Sequence, residues 1–372
     1  MKKKTEESLN NPWYLIPGKD QDVVVSSRMR LARNLANFQF TPQLNSLEAQ
    51  RILSIVIDAF NKIENGDQYQ SVLVENMDKT SIKIMEERGI LDPENLNNSA
   101  ILIRNDGKLC CTVNSTDHLR LSSFASGFNF DQVFSQVKTT DDQLQHLIQF
   151  AASYDFGYLN ASILDSGSGM KLSARMHLVG LSMKQQINSL VQDFANKNIN
   201  FTAPFGPGGM ENINGFGFVG TSLGSFYDIS TRQSSEDSEF DQIAAISSEC
   251  KKLIDLERRA REDMQKNQPS LIKNFMYRAV YLAKSSVFLS KREAVEIISG
   301  VKLGKDLNLL TGIDDSSLCA LLLKIQDGHL EFVMNSENFK FEKDISDNQD
   351  KKIERLRAIL LQEAFQDVNL SV

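Results

Sequence analysis

The chain has 372 residues, a formal net charge of -7, 41% hydrophobic residues and 24% charged residues. That length suits two domains, and the composition is ordinary for a globular protein. The acidic balance argues against a general nucleic-acid binder, no apolar run approaches the ~18 residues of a membrane span, and Met1-Lys2-Lys3-Lys4-Thr5-Glu6-Glu7 has no apolar stretch behind it to act as a secretory signal.

In chain order, residues 1–20 read as a flexible lead-in, polar with Pro12 and Pro17. Val23–Leu31 reads as a strand. Leu47–Ile63 carries Ile52, Leu53, Val56, Ile57 and Phe60 at helical spacing, and Asp78–Arg88 reads as a second helix. Ser99–Arg104 and Leu109–Val113 are short apolar strands joined by the turn signal Asn105-Asp106-Gly107. Asp131–Ser153 reads as a long helix. Arg175–Leu181 and Ile199–Phe201 read as strands around a helix at Lys184–Asn196. Phe205–Gly224 reads as a Gly- and aromatic-rich loop, and Ser234–Asp241 as a polar linker.

From about Gln242 the pattern turns helical: Gln242–Gln265, Leu271–Lys284, Arg292–Ile298, Ser316–Ile325 and Asp350–Phe365, with a capping box at Ser290-Lys291-Arg292-Glu293. A domain change is expected near 240–265. The four cysteines, Cys110, Cys111, Cys250 and Cys319, contain no CxxC pair. No metal site is expected from them, only reduced buried thiols.

Three segments carry chemistry. In Ser26-Ser27-Arg28-Met29-Arg30-Leu31-Ala32-Arg33-Asn34, the two arginines two residues apart share one face of a strand. Guanidinium groups fork onto phosphate oxygens, and phosphoryl transfer depends on such positioning and charge neutralisation. The second segment is Asn114-Ser115-Thr116-Asp117-His118-Leu119-Arg120, for which a strand-end ion pair of Asp117 with Arg120 is the plain alternative. The third is Gly157-Tyr158-Leu159-Asn160-Ala161-Ser162-Ile163-Leu164-Asp165-Ser166-Gly167-Ser168-Gly169-Met170-Lys171-Leu172-Ser173. A structural role is expected for His118, and His177 is expected to pack inside a strand.

Together these segments resemble the guanidino kinase superfamily, and most closely the bacterial protein-arginine kinases of the McsB type. The resemblance covers roughly residues 20–365. It includes Leu289-Ser290-Lys291-Arg292-Glu293-Ala294 and Val301-Lys302-Leu303-Gly304-Lys305-Asp306-Leu307. It implies an α+β catalytic domain, an antiparallel sheet flanked by helices, over 21–250, and an all-α dimerisation domain over 255–368. It further implies ATP with Mg2+ as cofactor and a nucleotide site at Ser26, Ser27, Arg28, Met29, Arg30, Arg88, Arg120, Lys171, Ser173 and Asn214. A homodimer, a zinc-finger activator and a Clp-type unfoldase are the partners it implies, in the cytoplasm, with no nucleic acid and no membrane.

The family's chemistry is where the residues depart. An arginine side chain is protonated under ordinary conditions and must be oriented and deprotonated before it can attack. The family places two glutamates where this chain has Ser115 and Thr116, a cysteine where it has Ser162, and a further glutamate near Val219. Gly224–Ser230 fits the family pattern beyond that point. In the C-terminal part, Gln349-Asp350-Lys351-Lys352-Ile353 keeps one residue of a phosphoarginine motif, and Lys351, Lys352, Arg355 and Arg357 read as a basic helix face. The expectation is a catalytically impaired kinase that keeps part of its phosphate site. The alternative is an active kinase with Glu211, Asp165 or Asp117 as replacement base.

Overall fold

The computed structural model describes residues 11–92, 97–208, 222–234 and 238–371. Its centre is an eight-stranded antiparallel sheet, ordered β2-β3-β4-β5-β1-β8-β10-β9. The strands are β1 (Val24–Arg33), β2 (Tyr69–Leu73), β3 (Ala100–Arg104), β4 (Leu109–Val113), β5 (Leu119–Ser126), β8 (Met170–His177), β9 (Ile199–Thr202) and β10 (Phe226–Thr231). Two short strand pairs, β6 (Ala152–Ser153) with β7 (Gly157–Tyr158) and β11 (Leu310–Thr311) with β12 (Asn369–Leu370), stand apart from it.

Alternation along β1 divides its residues between two faces. Met29 and Leu31 join the main core, where α1 (Ser46–Lys62) brings Ile52, Leu53, Val56 and Phe60, and α3 (Phe130–Gln145) brings Val133, Val137 and Leu144. Ser26, Arg28 and Arg30 look the other way. Asn45 caps α1 by accepting the Glu48 N–H, and Asp78 caps α2 (Lys79–Glu87) by accepting that of Ser81. No residue of α2 is fully buried. Beside α2 the sheet carries a small satellite core of Val74, Leu91 and Ile101.

Beyond α4 (Val179–Met183) and α5 (Ile187–Ala195), the helical part begins with α6 (Glu239–Asn267), which runs unbroken through the expected domain change. Then follow α7 (Pro269–Ser285), α8 (Lys291–Asp306), α9 (Asp315–Lys324), α10 (Asp327–Ser336) and α11 (Gln349–Ala364). They surround a second core that includes Met276, Val280, Ile298, Leu318, Leu361 and Phe365. The capping box at Ser290 and Glu293 is formed at the start of α8.

A mostly buried ion network ties the two parts. Arg261 donates to Glu257, Asp306 and the His177 carbonyl, Lys302 donates to the Gln21 carbonyl, and Arg258 forks onto Asp22.

Several expectations need correction. The helix expected at 131–153 ends at Gln145, and Ala152 and Ser153 belong to a strand. The strand expected to reach Leu181 stops at His177 and turns into α4. Of the lead-in expected at 1–20, residues 1–10 lie outside the described residues; further on, Trp13 stacks on Phe124 at 5.8 Å, and its carbonyl accepts the Ser126 hydroxyl. Arg357 does not join a basic helix face. It is buried and donates to the carbonyls of Ile325 and Leu289. All four thiols are free and buried.

Candidate functional site

The sheet face opposite the main core carries a ladder of cations. Arg28 stands opposite Phe124 on β5 and Ser173 on β8, while Arg30 stands opposite Ser122 and Lys171. Arg120 follows on β5 and Arg175 on β8, each on the same face by the period of two.

Their charges are unevenly compensated. Lys171 pairs with Asp165. Arg175 forks onto Asp228 at 2.7 and 2.8 Å, and Phe205 covers it. Arg120 pairs with Asp92 and donates to the Thr116 hydroxyl. Among the described residues Arg28 meets no carboxylate: it donates to the Gly89 carbonyl at 2.6 Å and to the Ser122 hydroxyl at 3.4 Å, and its buried Nε has no partner. Arg30 makes no hydrogen bond or ion pair with any described residue. Burial, then the neighbouring charge of Arg30 and after it Arg120, pushes Arg28 down to about 9. Burial and the charge of Arg120 push Arg30 down as well. Desolvated, mutually repelling arginines are the electrostatic mark of an anion site.

Not every residue expected at the site reaches it. Ser27 and Met29 project from β1 to the core side. The Ser27 hydroxyl donates to the Gly127 carbonyl and accepts the Asn129 N–H, and Met29 is fully buried. Arg88 caps α2 at the exposed rim of the face. Ser26 and Ser173 lie on the cation face. Asn214, Val219 and Glu211 lie outside the described residues.

The plain alternative, an Asp117–Arg120 pair, is not formed: Arg120 turns to Asp92, and Asp117 is buried beneath the strand end. It accepts the Asn34 amide at 2.7 Å and the Ala161 N–H at 2.9 Å. Asn34 in turn accepts the His118 N–H. His118 Nδ1 accepts the Leu35 N–H, and Nε2 donates to the Gln39 carbonyl. Asn34 and Asp117 thus pin the glycine-bearing loop to the end of β1, and His118 holds the chain that leaves the strand. Gly169 is essential to that approach: its φ is +67°, and a Cβ there would lie 2.6 Å from the Ala32 carbonyl oxygen and from Arg33 Nη1. His177 is packed, stacked on Phe226, with Nε2 on the Ser299 hydroxyl.

The positions that would handle a guanidinium do not form a carboxylate pair. Ser115 is buried, Thr116 is exposed and engaged by Arg120, and Ser162 is exposed before a short turn. Beside Ser162 lies a cavity of about 790 Å3, with Phe40, Phe156, Leu159, Ile163 and Leu164 in its wall. Among the described residues, each carboxylate placed near the cations is already engaged: Asp92, Asp165 and Asp228 by cations, and Asp117 by an amide side chain and a backbone N–H. Sequence reading missed the Arg175–Asp228 pair. The signal was there, since Arg175 continues the two-residue period of Lys171 and Ser173.

An antiparallel sheet bearing such an arginine ladder suits the binding of phosphate groups. Residues 51–260, more than half of the chain, match the family model described as ATP:guanido phosphotransferase, C-terminal catalytic domain. Residues 269–371 match that of the protein-arginine kinase McsB C-terminal domain. The chain therefore belongs to the McsB-type protein-arginine kinase family.

It is 27% identical to the protein-arginine kinase of Syntrophomonas wolfei over 316 residues, 83% of this chain and 85% of the relative. It is 29% identical to that of Clostridium novyi over 325 residues, 86% and 91%. Among solved structures it resembles the duplicated taurocyamine kinase from Schistosoma mansoni with bound transition state analog components. That match has a TM-score of 0.57 and 16% identity, and covers 73% of this chain and 40% of that one. A lombricine kinase matches with a TM-score of 0.53 and 18% identity, over 67% and 71%. At these identities the structural likeness concerns the fold alone.

Proposed function

We propose that this chain binds the phosphates of ATP through Arg28, Arg30, Arg120 and Lys171, and that it is a pseudokinase that does not phosphorylate arginine at a useful rate. The observation that carries the reading is the imbalance of the site. Cations remain desolvated and incompletely paired, as at Arg28 and Arg30, while every nearby described carboxylate is already engaged. Charge-assisted contacts to phosphate contribute on the order of 1.5–3 kcal/mol each, so this set supports binding. Lys171 holds charge but not the two-pronged geometry of an arginine. Mg2+ would accompany ATP by neutralising its phosphates.

Without a free carboxylate a guanidinium stays cationic and unoriented. Losing one positioned acid–base group typically costs roughly 10²–10⁴-fold in rate. A homodimer through the helical part is proposed with this reading, supported by Leu271, Tyr277, Tyr281 and Val287, which are large apolar side chains left exposed there. An activator protein and an unfoldase partner rest on the family resemblance.

Calorimetry with ATP, with and without magnesium, tests binding. Arg28→Ala with Arg120→Ala should abolish it, and unchanged affinity places the phosphates elsewhere. Mass spectrometry under acid-free handling should find no phosphoarginine after incubation with ATP, magnesium and an arginine-rich protein. Robust magnesium-dependent product from the unmodified chain overturns the pseudokinase reading.

A further inference from the structure

Two of the cations assigned to phosphate hold the same short segment of this chain. Arg28 donates to the Gly89 carbonyl at 2.6 Å, and Arg120 pairs with Asp92. Gly89 ends α2 in the left-handed conformation, φ +66°, and a Cβ there would lie 3.1 Å from Arg28 Nη1. The guanidinium is therefore seated directly against the helix end. None of the residues of α2 is fully buried; Ile82 and Met85 rest on the small core of Val74, Leu91 and Ile101.

The other side of α2 grips the helical part. Glu87 accepts the Gly328 N–H with both oxygens, at 3.1 and 3.0 Å, at the start of α10. An acceptor there satisfies a free amide of the helix N-terminus and complements its dipole. Lys83 pairs with Glu331 one turn further on, at 2.5 Å. The fit is close: a Cβ on Gly328 would lie 2.8 Å from Glu87 Oε2 and 3.1 Å from the Ile84 nitrogen.

We infer that segment 89–92 is an internal competitor for the anion site, and that filling the site loosens the grip of α2 on α10. This rests on the phosphate role proposed for Arg28 and Arg120. A ligand phosphate and the Asp92 carboxylate seek the same cation, and a phosphate that forks onto Arg28 competes with the Gly89 carbonyl for its Nη2 donor. Both arginines release one end of α2, and Glu87 and Lys83 stand within its last two turns. Linkage requires the effect to be reciprocal: loosening the α2–α10 contact must tighten anion binding by the same factor.

The test uses the full chain with ATP and magnesium as the probe. Hydrogen exchange should speed up at least about fivefold in residues 84–92 and 326–331 when ATP saturates the protein. In calorimetry, Asp92→Asn, Glu87→Ala and Lys83→Ala should each lower the Kd for ATP, by about fivefold for the first two. A purely structural ion pair would not behave this way, since its loss would leave the Kd unchanged or raise it. Saturating ATP with unchanged or slower exchange in both segments overturns the coupling and leaves the phosphate site standing. So do variants whose Kd does not fall. If the wild-type chain gives no ATP heat at all, the phosphate reading fails and the coupling with it.

Discussion

Arg33 and Asp141 form a two-pronged ion pair at 2.8 and 3.0 Å, with both side chains 0% exposed. Arg33 also donates to the carbonyls of Ala32 and Ser168, and its guanidinium lies 3.5 Å from the Tyr158 ring centre. It belongs to the same strand as Arg28 and Arg30 but projects to the opposite face. It therefore locks β1, α3 and the glycine-bearing loop together rather than meeting a ligand. Removing one partner strands a buried charge, which typically costs about 3–5 kcal/mol. Asp141→Ala should lower the urea midpoint accordingly, and Arg33→Met with Asp141→Leu should recover much of the loss. A single Asp141→Ala variant of wild-type stability would contradict this.

Arg30 is costly to the fold and valuable to the site. It stands opposite Lys171, and like charges directly opposite destabilise a sheet by a fraction of a kcal/mol to about 1 kcal/mol. Arg30→Gln should therefore raise Tm by roughly 1–3 °C. The same change removes a charge-assisted phosphate contact and should weaken ATP binding about 10- to 100-fold. Scanning calorimetry and titration on one preparation read both quantities. A drop in Tm, or an unchanged Kd, would sink the idea.

Local pattern revealed what local forces decide. The period of two on β1 placed Arg28 and Arg30 together, and Asn105-Asp106-Gly107 joined β3 to β4. The reading failed where distant contacts decide. Ile148 and Phe150 continue an apolar pattern past Gln145, but the chain turns at 146–148 and Phe150 is bridged to Leu35. α10 begins Asp327-Gly328, and glycine in a first turn disguises a helix. Its start is completed by Glu87, 241 positions away in sequence. The Asp92–Arg120 pair, 28 positions apart, is non-local as well. The domain change expected near 240–265 coincides with continuous α6, whose Arg261 and Glu257 face inward with charge where a core helix would show apolar residues.

Restoring the family residues should expose a division between Ser115 and Thr116. Ser115 is buried, so Ser115→Glu would bury a carboxylate with no cation prepared for it, at a cost of several kcal/mol. Thr116 is exposed and already touches Arg120, so Thr116→Glu should leave Tm within about 2 °C of wild type. Thr116→Glu with Ser162→Cys should fold and still yield no phosphoarginine, since only one carboxylate returns. Phosphoarginine from that double variant would show that the remaining frame supplies the second group. A stable Ser115→Glu would show that the strand end can open.

His177 should make stability fall with acid from near neutral pH. It is buried, with Nδ1 facing Arg261 at 3.3 Å and Nε2 on the Ser299 hydroxyl, and Phe226 stacked on its ring. Burial first, then the charges of Arg261 and Lys302, holds its pKa well below the usual 6.5. The folded state thus keeps His177 neutral while the unfolded chain takes up a proton near 6.5. Where the unfolded state binds more protons, stability rises with pH. The contribution is therefore complete above about pH 6.5. It is lost as pH falls below that value, by about 1.4 kcal/mol per pH unit at most. His118 and His329 are held low in the same direction, so the total slope is shared among them. The difference between wild type and His177→Gln isolates the part due to His177. Urea titrations at pH 7.5, 6.5, 5.5 and 5.0 should show the two proteins converging as pH falls, because the variant has lost one proton-linked term. Parallel stability curves across that range would mean that His177 is either protonated in the folded state or shielded by a compensating rearrangement around Arg261.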